Sequence, residues 1–349
     1  MLRRDGAASA LCAALEGVDR LVLLGDVLEL RNRRARDVLA SAEPFFRDLG
    51  AALAGRPVII VAGNHDHALV ERRLARREDP LGLEQRMAPK KASDLAAALA
   101  AQFGKADVEF AYPGLWLRED VYATHGHYLD VHTTVPTFER LAIATSGRIA
   151  LDASGGRWND VHSPDDYEAL LSPVYAWLHA AAQSGRPGKA PAGGAALSVW
   201  GTLRSGRAGG LRAQALATGF PLAVAALNAA GFGPLRSELS GEELRRAGLL
   251  AMSEVVERLR IRARHVIFGH THRAGMLERD TAAEWLTPNG VQLHNTGSWI
   301  YSQAFLASGN PQSPYWPGSA MLIDDGAPPQ LLRLLTDRPA AELTAVHDG

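Results

Sequence analysis

Cysteine is nearly absent: Cys12 is the single one in 349 residues. That excludes a disulfide framework and any cysteine-built zinc site, and it fits a reducing compartment. An excess of charge of either sign is also missing, since 37 Lys plus Arg stand against 38 Asp plus Glu, for a net charge of -1. A dedicated nucleic-acid binder needs a basic surplus to neutralise phosphates, so no stable nucleic-acid complex is expected. No apolar run approaches the roughly 20 residues that a bilayer-spanning helix requires. No opening segment combines the basic, apolar and cleavable parts of a secretory signal. The expectation is therefore a soluble, cytoplasmic protein without a transmembrane segment. No fixed-period repeat is present either. With 47% hydrophobic and 21% charged residues the chain has a globular balance. Its length allows one large α/β domain with an insertion, or two domains.

What the chain does contain is a series of short aliphatic runs that end abruptly. Leu21-Val22-Leu23-Leu24 runs into Gly25-Asp26, and Val58-Ile59-Ile60-Val61 into Gly63-Asn64-His65-Asp66. Val121-Tyr122-Ala123-Thr124 runs into His125-Gly126-His127, and His265-Val266-Ile267-Phe268 into Gly269-His270-Thr271-His272. Each reads as a buried strand followed by a loop. Helical patterns cover 7–15, 38–53 with Pro44 inside, and 93–103 with Ser93 as the cap. Two strands turning near Glu119-Asp120 fit 114–124, and strands return at 291–295, 320–323 and 331–335. The stretch between differs: it has Ala-rich helical patches, the aromatics Phe138, Trp158, Tyr167, Tyr175 and Trp177, and a Gly/Pro/Ala-rich mobile connection at 184–196. The chain thus divides into a first core part (1–127), a helical insertion or cap (128–262) and a second core part (263–349).

Asp26, Asn64, His125, His270 and His272 all stand where a strand ends, the place where separate loops of α/β proteins converge on a ligand. Oxygen and imidazole donors together suit Mn, Fe, Zn or Co. Taken singly, each residue is explained by turn chemistry or by an ordinary core histidine. Taken as an ordered set behind four apolar runs, they read as metal ligands.

The series Gly25-Asp26-Val27-Leu28-Glu29, Gly63-Asn64-His65-Asp66, His125-Gly126-His127 and Gly269-His270-Thr271-His272 resembles the calcineurin-like metallophosphoesterase family, with Asn295-Thr296-Gly297-Ser298 similar to the strand end that follows. The resemblance implies a four-layer α/β/β/α sandwich and two divalent metal ions, Mn favoured. Asp26 would bridge both ions, Asn64, His125 and His270 would complete one site, and His272 would serve the other. His65 would meet the phosphate and protonate the leaving oxygen, held by Asp66. Two such ions generate a hydroxide nucleophile and neutralise phosphoryl charge, and an imidazole suits general acid work near neutral pH. Each ligand histidine would donate its other N–H to a carbonyl or carboxylate.

One family block has no counterpart. The family carries an Asp-x-His before the Asp26 block, whereas this chain opens Met1-Leu2-Arg3-Arg4-Asp5-Gly6 and enters a helix. The His272 site then keeps only His272 and Asp26, so the chain as given would keep one firm ion site. An N-terminal piece missing from the sequence is the preferred expectation, and a genuine variant with weakened activity the alternative.

The remaining candidates have plainer readings. Glu29 either orients a ligand or begins a helix, and His127 supports His125. Arg31, Arg33, Arg34 and Arg36 read as a solvated basic face in preference to a phosphate grip, as do Arg72, Arg73, Arg76 and Arg77. Asp130 and His132 lie close behind His125 and could border the pocket, which is not the preferred reading, while His162, His179, His294 and His347 lack partner spacing and read as structural or surface residues. The expected function is a metal-dependent phosphohydrolase that cleaves a small-molecule phosphoester or a nucleotide- or lipid-linked pyrophosphate by metal-activated hydroxide. The placement of the insertion resembles the helical caps of bacterial UDP-2,3-diacylglucosamine pyrophosphohydrolases. The alternative is a binding or regulatory protein on the same fold that turns over little.

Overall fold

The computed structural model describes residues 5–53, 55–133, 161–184, 241–300 and 309–344. Phe138, Trp158, His347 and nearly all of the 184–196 connection lie outside them. The chain is a mixed α/β protein built on a curled mixed sheet.

β1 (Leu21–Leu24) pairs in parallel with β2 (Pro57–Val61), and β2 in parallel with the first half of β4 (Asp107–Arg118). The short β3 (Glu84–Met87) runs antiparallel along the middle of β4. The chain then turns at Glu119-Asp120 into antiparallel β5 (Val121–Thr124), and the sheet continues in parallel through β6 (His265–Phe268) and β8 (Gln292–Thr296). β7 (Ala274–Gly275) closes that edge antiparallel to β8, and β9 (Ser319–Leu322) pairs separately with β10 (Gln330–Arg333). The sequence reading starts this hairpin at 114, but β4 begins at Asp107. Pro113 obscures it. That proline stands between the last residue paired with β2 (Ala111) and the first paired with β5 (Gly114), so its missing N–H falls where β4 changes partners.

Alternation along the strands shows how the curled sheet is packed. Ile59 and Val61 of β2, Ala111 and Leu115 of β4, Val121 and Ala123 of β5 and Ile267 of β6 form one inner cluster, drawn from both halves of the sheet. The opposite sides of the same strands meet helices. Val58, Ile60, Phe110 and Tyr112 pack with Leu11 of α1 (Asp5–Ala14) and with Phe46 and Leu49 of α2 (Ala35–Ala52). After α3 (Glu71–Arg76) and α4 (Pro89–Ala92), α5 (Asp94–Ala101) adds Ala96 and Leu99 to that cluster. The Ser93 side chain caps α5 by accepting the Ala96 N–H.

The other outer cluster belongs to the described part of 128–262. Tyr122, Val266 and Phe268 pack against Tyr167 and Leu171 of α6 (Pro164–Gln183) and against Met252 and Val255 of α7 (Gly241–Arg258). A capping box closes the start of α6: Ser163 accepts from the Asp166 N–H and the Asp166 carboxylate accepts the Ser163 N–H. The far end of α6 reaches the first half of the chain. Gln183 Oε1 accepts the Ala35 N–H at 3.0 Å and so caps α2, whose own N-cap residue, Arg34, supplies no side-chain bond. The last described helix, α8 (Ala340–Thr344), packs Leu343 against Trp316, Leu335 and Ala7.

Candidate metal centre

The loops after β1, β2, β5 and β6 meet because their strand ends are tied together. The Leu24 carbonyl accepts from His125 Nδ1 at 2.9 Å, and the His125 carbonyl accepts the Gly269 N–H at 2.9 Å. Two glycines permit this approach. A Cβ on Gly25 would lie 2.1 Å from His125 Nδ1, and one on Gly63 would lie 2.3 Å from Asp26 Oδ1. The backbone is also held in an unusual form. Asp26 (φ 54°), His270 (φ 61°) and His272 (φ 60°) adopt the left-handed region, and Arg260 is the only other non-glycine residue that does so among those described. Non-glycine residues there carry a conformational cost that clusters at functional loops.

Four of the five expected ligands face one point. Asp26 Oδ2 lies 3.2 Å from His125 Nε2. The inward end of the Asn64 amide lies 3.2–3.3 Å from both Asp26 oxygens, from His125 Nε2 and from His270 Nδ1. Asp26, His125 and His270 form the one group of three His or acidic ligands, among the described residues, whose donor atoms all lie within 4.8 Å of one another. These separations suit a small divalent ion: N and O ligands at about 2.0–2.2 Å in tetrahedral array stand about 3.3–3.6 Å apart.

The tautomers are fixed from outside. His125 Nδ1–H donates to the Leu24 carbonyl, so Nε2 turns its lone pair inward. His270 Nε2–H donates to Asp130 Oδ1 at 2.9 Å, leaving Nδ1 as the inward atom. This is how metal-binding imidazoles are oriented. Asn64 is the most telling member. Without a cation its amide must donate inward, with its oxygen turned to Arg31 Nη1 at 3.1 Å. An inward oxygen at that place would need a cation to face, because the atoms around it are otherwise all acceptors.

The electrostatics agree. Burial alone would raise the Asp26 carboxyl, but His125 and His65 beside it hold it well below the usual carboxylate range. Burial lowers His272 to about 4, keeping it a neutral imidazole. His272 is close enough to Asp26 and His270 to feel their charges, though it is not one of the three residues whose donors converge.

His65 lies at the rim. Its backbone N–H donates to Asp26 Oδ1 at 2.9 Å, its Nδ1–H donates to Glu29 Oε2 at 2.6 Å, and its Nε2 accepts from Arg31 Nη2 at 2.6 Å. Burial would lower its pKa, and the carboxylates of Asp26 and Glu29 raise it overall. Glu29 therefore holds the imidazole, the role expected of Asp66. Asp66 does something else. Its carboxylate accepts the N–H groups of Val27 (2.7 Å), Leu28 (3.2 Å) and Gly63 (2.7 Å), clamping the Asp26 loop to the Asn64 loop. Burial and the neighbouring Asp26 raise Asp66 to about 6, against the pull of those amides.

Other expectations shift too. Arg31 is only 7% exposed and contacts His65, so it leaves the solvated face on which Arg33 and Arg36 remain. His127 is buried and donates from Nε2 to the Tyr112 hydroxyl at 3.0 Å; its ring lies 5.6 Å from that of His125 without a hydrogen bond between them. His132 bonds the Tyr167 hydroxyl at 2.7 Å, His179 the Leu30 carbonyl at 3.3 Å, and His294 the buried His265 at 3.1 Å. Asp130 and Arg31 are the residues around the cluster that sequence reasoning undervalued. No family model matches the chain, and comparison with curated proteins and with solved structures gives no match either.

Proposed function

We propose that the chain is a metal-dependent phosphohydrolase of the calcineurin-like metallophosphoesterase type, with that family's α/β/β/α sandwich. The observation that carries the reading is the convergence of Asp26, Asn64, His125 and His270, with both imidazole tautomers set from outside. These residues would hold a divalent ion, Mn favoured, and Asp26 with His272 would border a second. Such ions supply Lewis-acid stabilisation of phosphoryl charge and lower the pKa of an attacking water.

The chain's own groups do the rest. Arg31 presents a guanidinium fork suited to phosphoryl oxygens. When a phosphoryl oxygen accepts the Nη2–H bond that Arg31 now gives to His65 Nε2, that imidazole nitrogen is open to take up a proton from water, favoured by the carboxylates of Asp26 and Glu29. His65 then protonates the departing oxygen, with Nδ1 anchored on Glu29 throughout. The substrates proposed are phosphoesters or pyrophosphates of small molecules.

Titration of the full chain with Mn(II), Co(II) and Zn(II), beside hydrolysis of an aryl phosphate, a bis-aryl phosphate and a nucleoside diphosphate conjugate, tests the reading. Metal uptake and metal-dependent turnover are expected, and both should vanish in Asp26→Ala. A wild-type chain that takes up no metal would end the proposal. A second reading, a metal-binding protein that turns over little, is favoured by there being just one three-ligand group among the described residues; tight metal uptake with no hydrolysis of any of the three substrates would select it.

A further inference from the structure

Behind the donor set lies a second buried polar cluster that the proposed chemistry does not use. Its centre is Glu168, a carboxylate on α6 that is only 4% exposed. Oε1 accepts the Tyr112 hydroxyl at 2.5 Å and the Tyr128 hydroxyl at 2.7 Å. Oε2 accepts His67 Nε2–H at 3.0 Å and the Ser172 hydroxyl. Burial would raise its pKa, and the His67 and Ser172 donors bring it down to about 2, so the group is a buried anion. Ser172 apart, every partner lies 40 to 101 residues away in the chain, on a core strand or on a turn beside the metal donors.

Two routes lead from Glu168 to the donor set. Tyr128 belongs to the short 3-10 turn His127–Val131, which also carries Asp130, the acceptor that sets the tautomer of His270. His67 opens the turn directly after Asp66, the carboxylate that fastens the Asp26 loop to Gly63. His127 joins the same cluster through Tyr112 and sits two residues from His125. One carboxylate on the insertion thus grips both turns that flank the centre.

We infer that Glu168 is a positioning residue of the metal centre, so that helix α6 of the insertion is part of the machinery that aims His270 and Asp26. This rests on reading Asp26, Asn64, His125 and His270 as metal ligands. Removing the charge leaves hydroxyl and imidazole donors facing a weaker acceptor in a buried site, and the two turns relax. The effect reaches the ligands through their orientation, since Glu168 touches none of them.

Co(II) titrated into the full chain, followed by calorimetry and by the visible bands of the bound ion, tests this. Glu168→Gln should bind Co(II) about tenfold more weakly, at the low end of the effect of outer-shell partners, with visible bands altered in position and intensity. Trp177→Ala, an exposed change on the same helix, should alter neither. Combining Glu168→Gln with Asp130→Ala should cost less than the sum of the two, because both act through His270. A folded Glu168→Gln chain with wild-type affinity and bands overturns the inference, and full additivity overturns the route through Asp130. Should Glu168→Gln not fold, Tyr128→Phe removes a single donor and keeps the ring. It should weaken Co(II) severalfold, and unchanged binding would refute the inference in turn. A wild-type chain that takes up no Co(II) removes the metal reading itself, an outcome distinct from any variant effect.

Discussion

His65→Ala separates proton transfer from metal binding. In this structure the His65 ring bonds Glu29 and Arg31 and its Nε2 stands 3.9 Å from Asp26 Oδ2, while the hydrogen bond to Asp26 Oδ1 is made by the backbone N–H, which alanine keeps. Metal affinity should therefore change by less than about threefold, under roughly 0.7 kcal/mol. Turnover should depend on the leaving group. A positioned general acid contributes about 10²–10⁴-fold when the departing oxygen needs a proton, and little when it leaves as a stable phenolate. With Mn(II) present, p-nitrophenyl phosphate should lose only severalfold in kcat, whereas an alkyl phosphate should lose about 10²–10⁴-fold. The pH profile gives a second readout. Asp26 and Glu29 raise the His65 pKa above its ordinary value near 6.5, so the acid form persists to higher pH and kcat falls as pH rises through that raised value. His65→Ala should erase that limb. An equal loss for both leaving groups would refute proton donation, and loss of the metal would place His65 among the ligands.

Three further outcomes follow from the same geometry. Asp130→Ala removes the acceptor of His270 Nε2–H and should weaken Mn(II) binding about 10–100-fold, or about 1.4–2.7 kcal/mol; an unchanged calorimetric Kd would count against His270 as a ligand. Gly63→Ala puts a Cβ 2.3 Å from Asp26 Oδ1 and 2.7 Å from its backbone nitrogen, so circular dichroism should show the fold kept while Mn(II) affinity falls at least about tenfold. Asp66, raised to about 6, holds a proton in the folded chain at pH values where the unfolded chain has released it. Its contribution to stability therefore declines as pH rises from about 4 to about 6. Denaturant melts across that window should show the decline in wild type and a flatter course in Asp66→Asn.

Much of the fold was legible because its strands are short aliphatic runs closed by glycine or by a polar loop. The expected strands at 21–24, 58–61, 121–124 and 265–268 coincide with β1, β2, β5 and β6 to within a residue. The helix expected at 93–103 has its Ser93 cap. What stayed hidden was hidden by competing signals. β3, read as Glu-Gln-Arg-Met, has no alternation to betray it, and β4 carries a proline at the point where it changes partners. The curl of the sheet, which brings Val61 and Ile267 into one cluster, is a property of β4 pairing with β2 along one half and β5 along the other. No local pattern encodes that.

The candidate site divides along the same line. Donor residues announce themselves locally, because a ligand at a strand end needs a particular residue type beside a particular turn, as with Gly25-Asp26 and Gly269-His270. Residues that aim the donors do not, because their meaning lies in a partner far along the chain. Asp130 meets His270 across 140 positions and Glu29 meets His65 across 36. Arg31 reads locally as one more member of an exposed basic run, yet it is buried against the His65 ring and the Asn64 amide. Glu168 did leave a trace: it falls in the helical row of Pro164, Leu171, Tyr175 and Leu178, where a carboxylate is expensive to bury, so its presence there implies donors waiting on the other side. A charged residue in the buried row of a helix thus points to polar partners on the elements packed against it, here Tyr112, Tyr128 and His67.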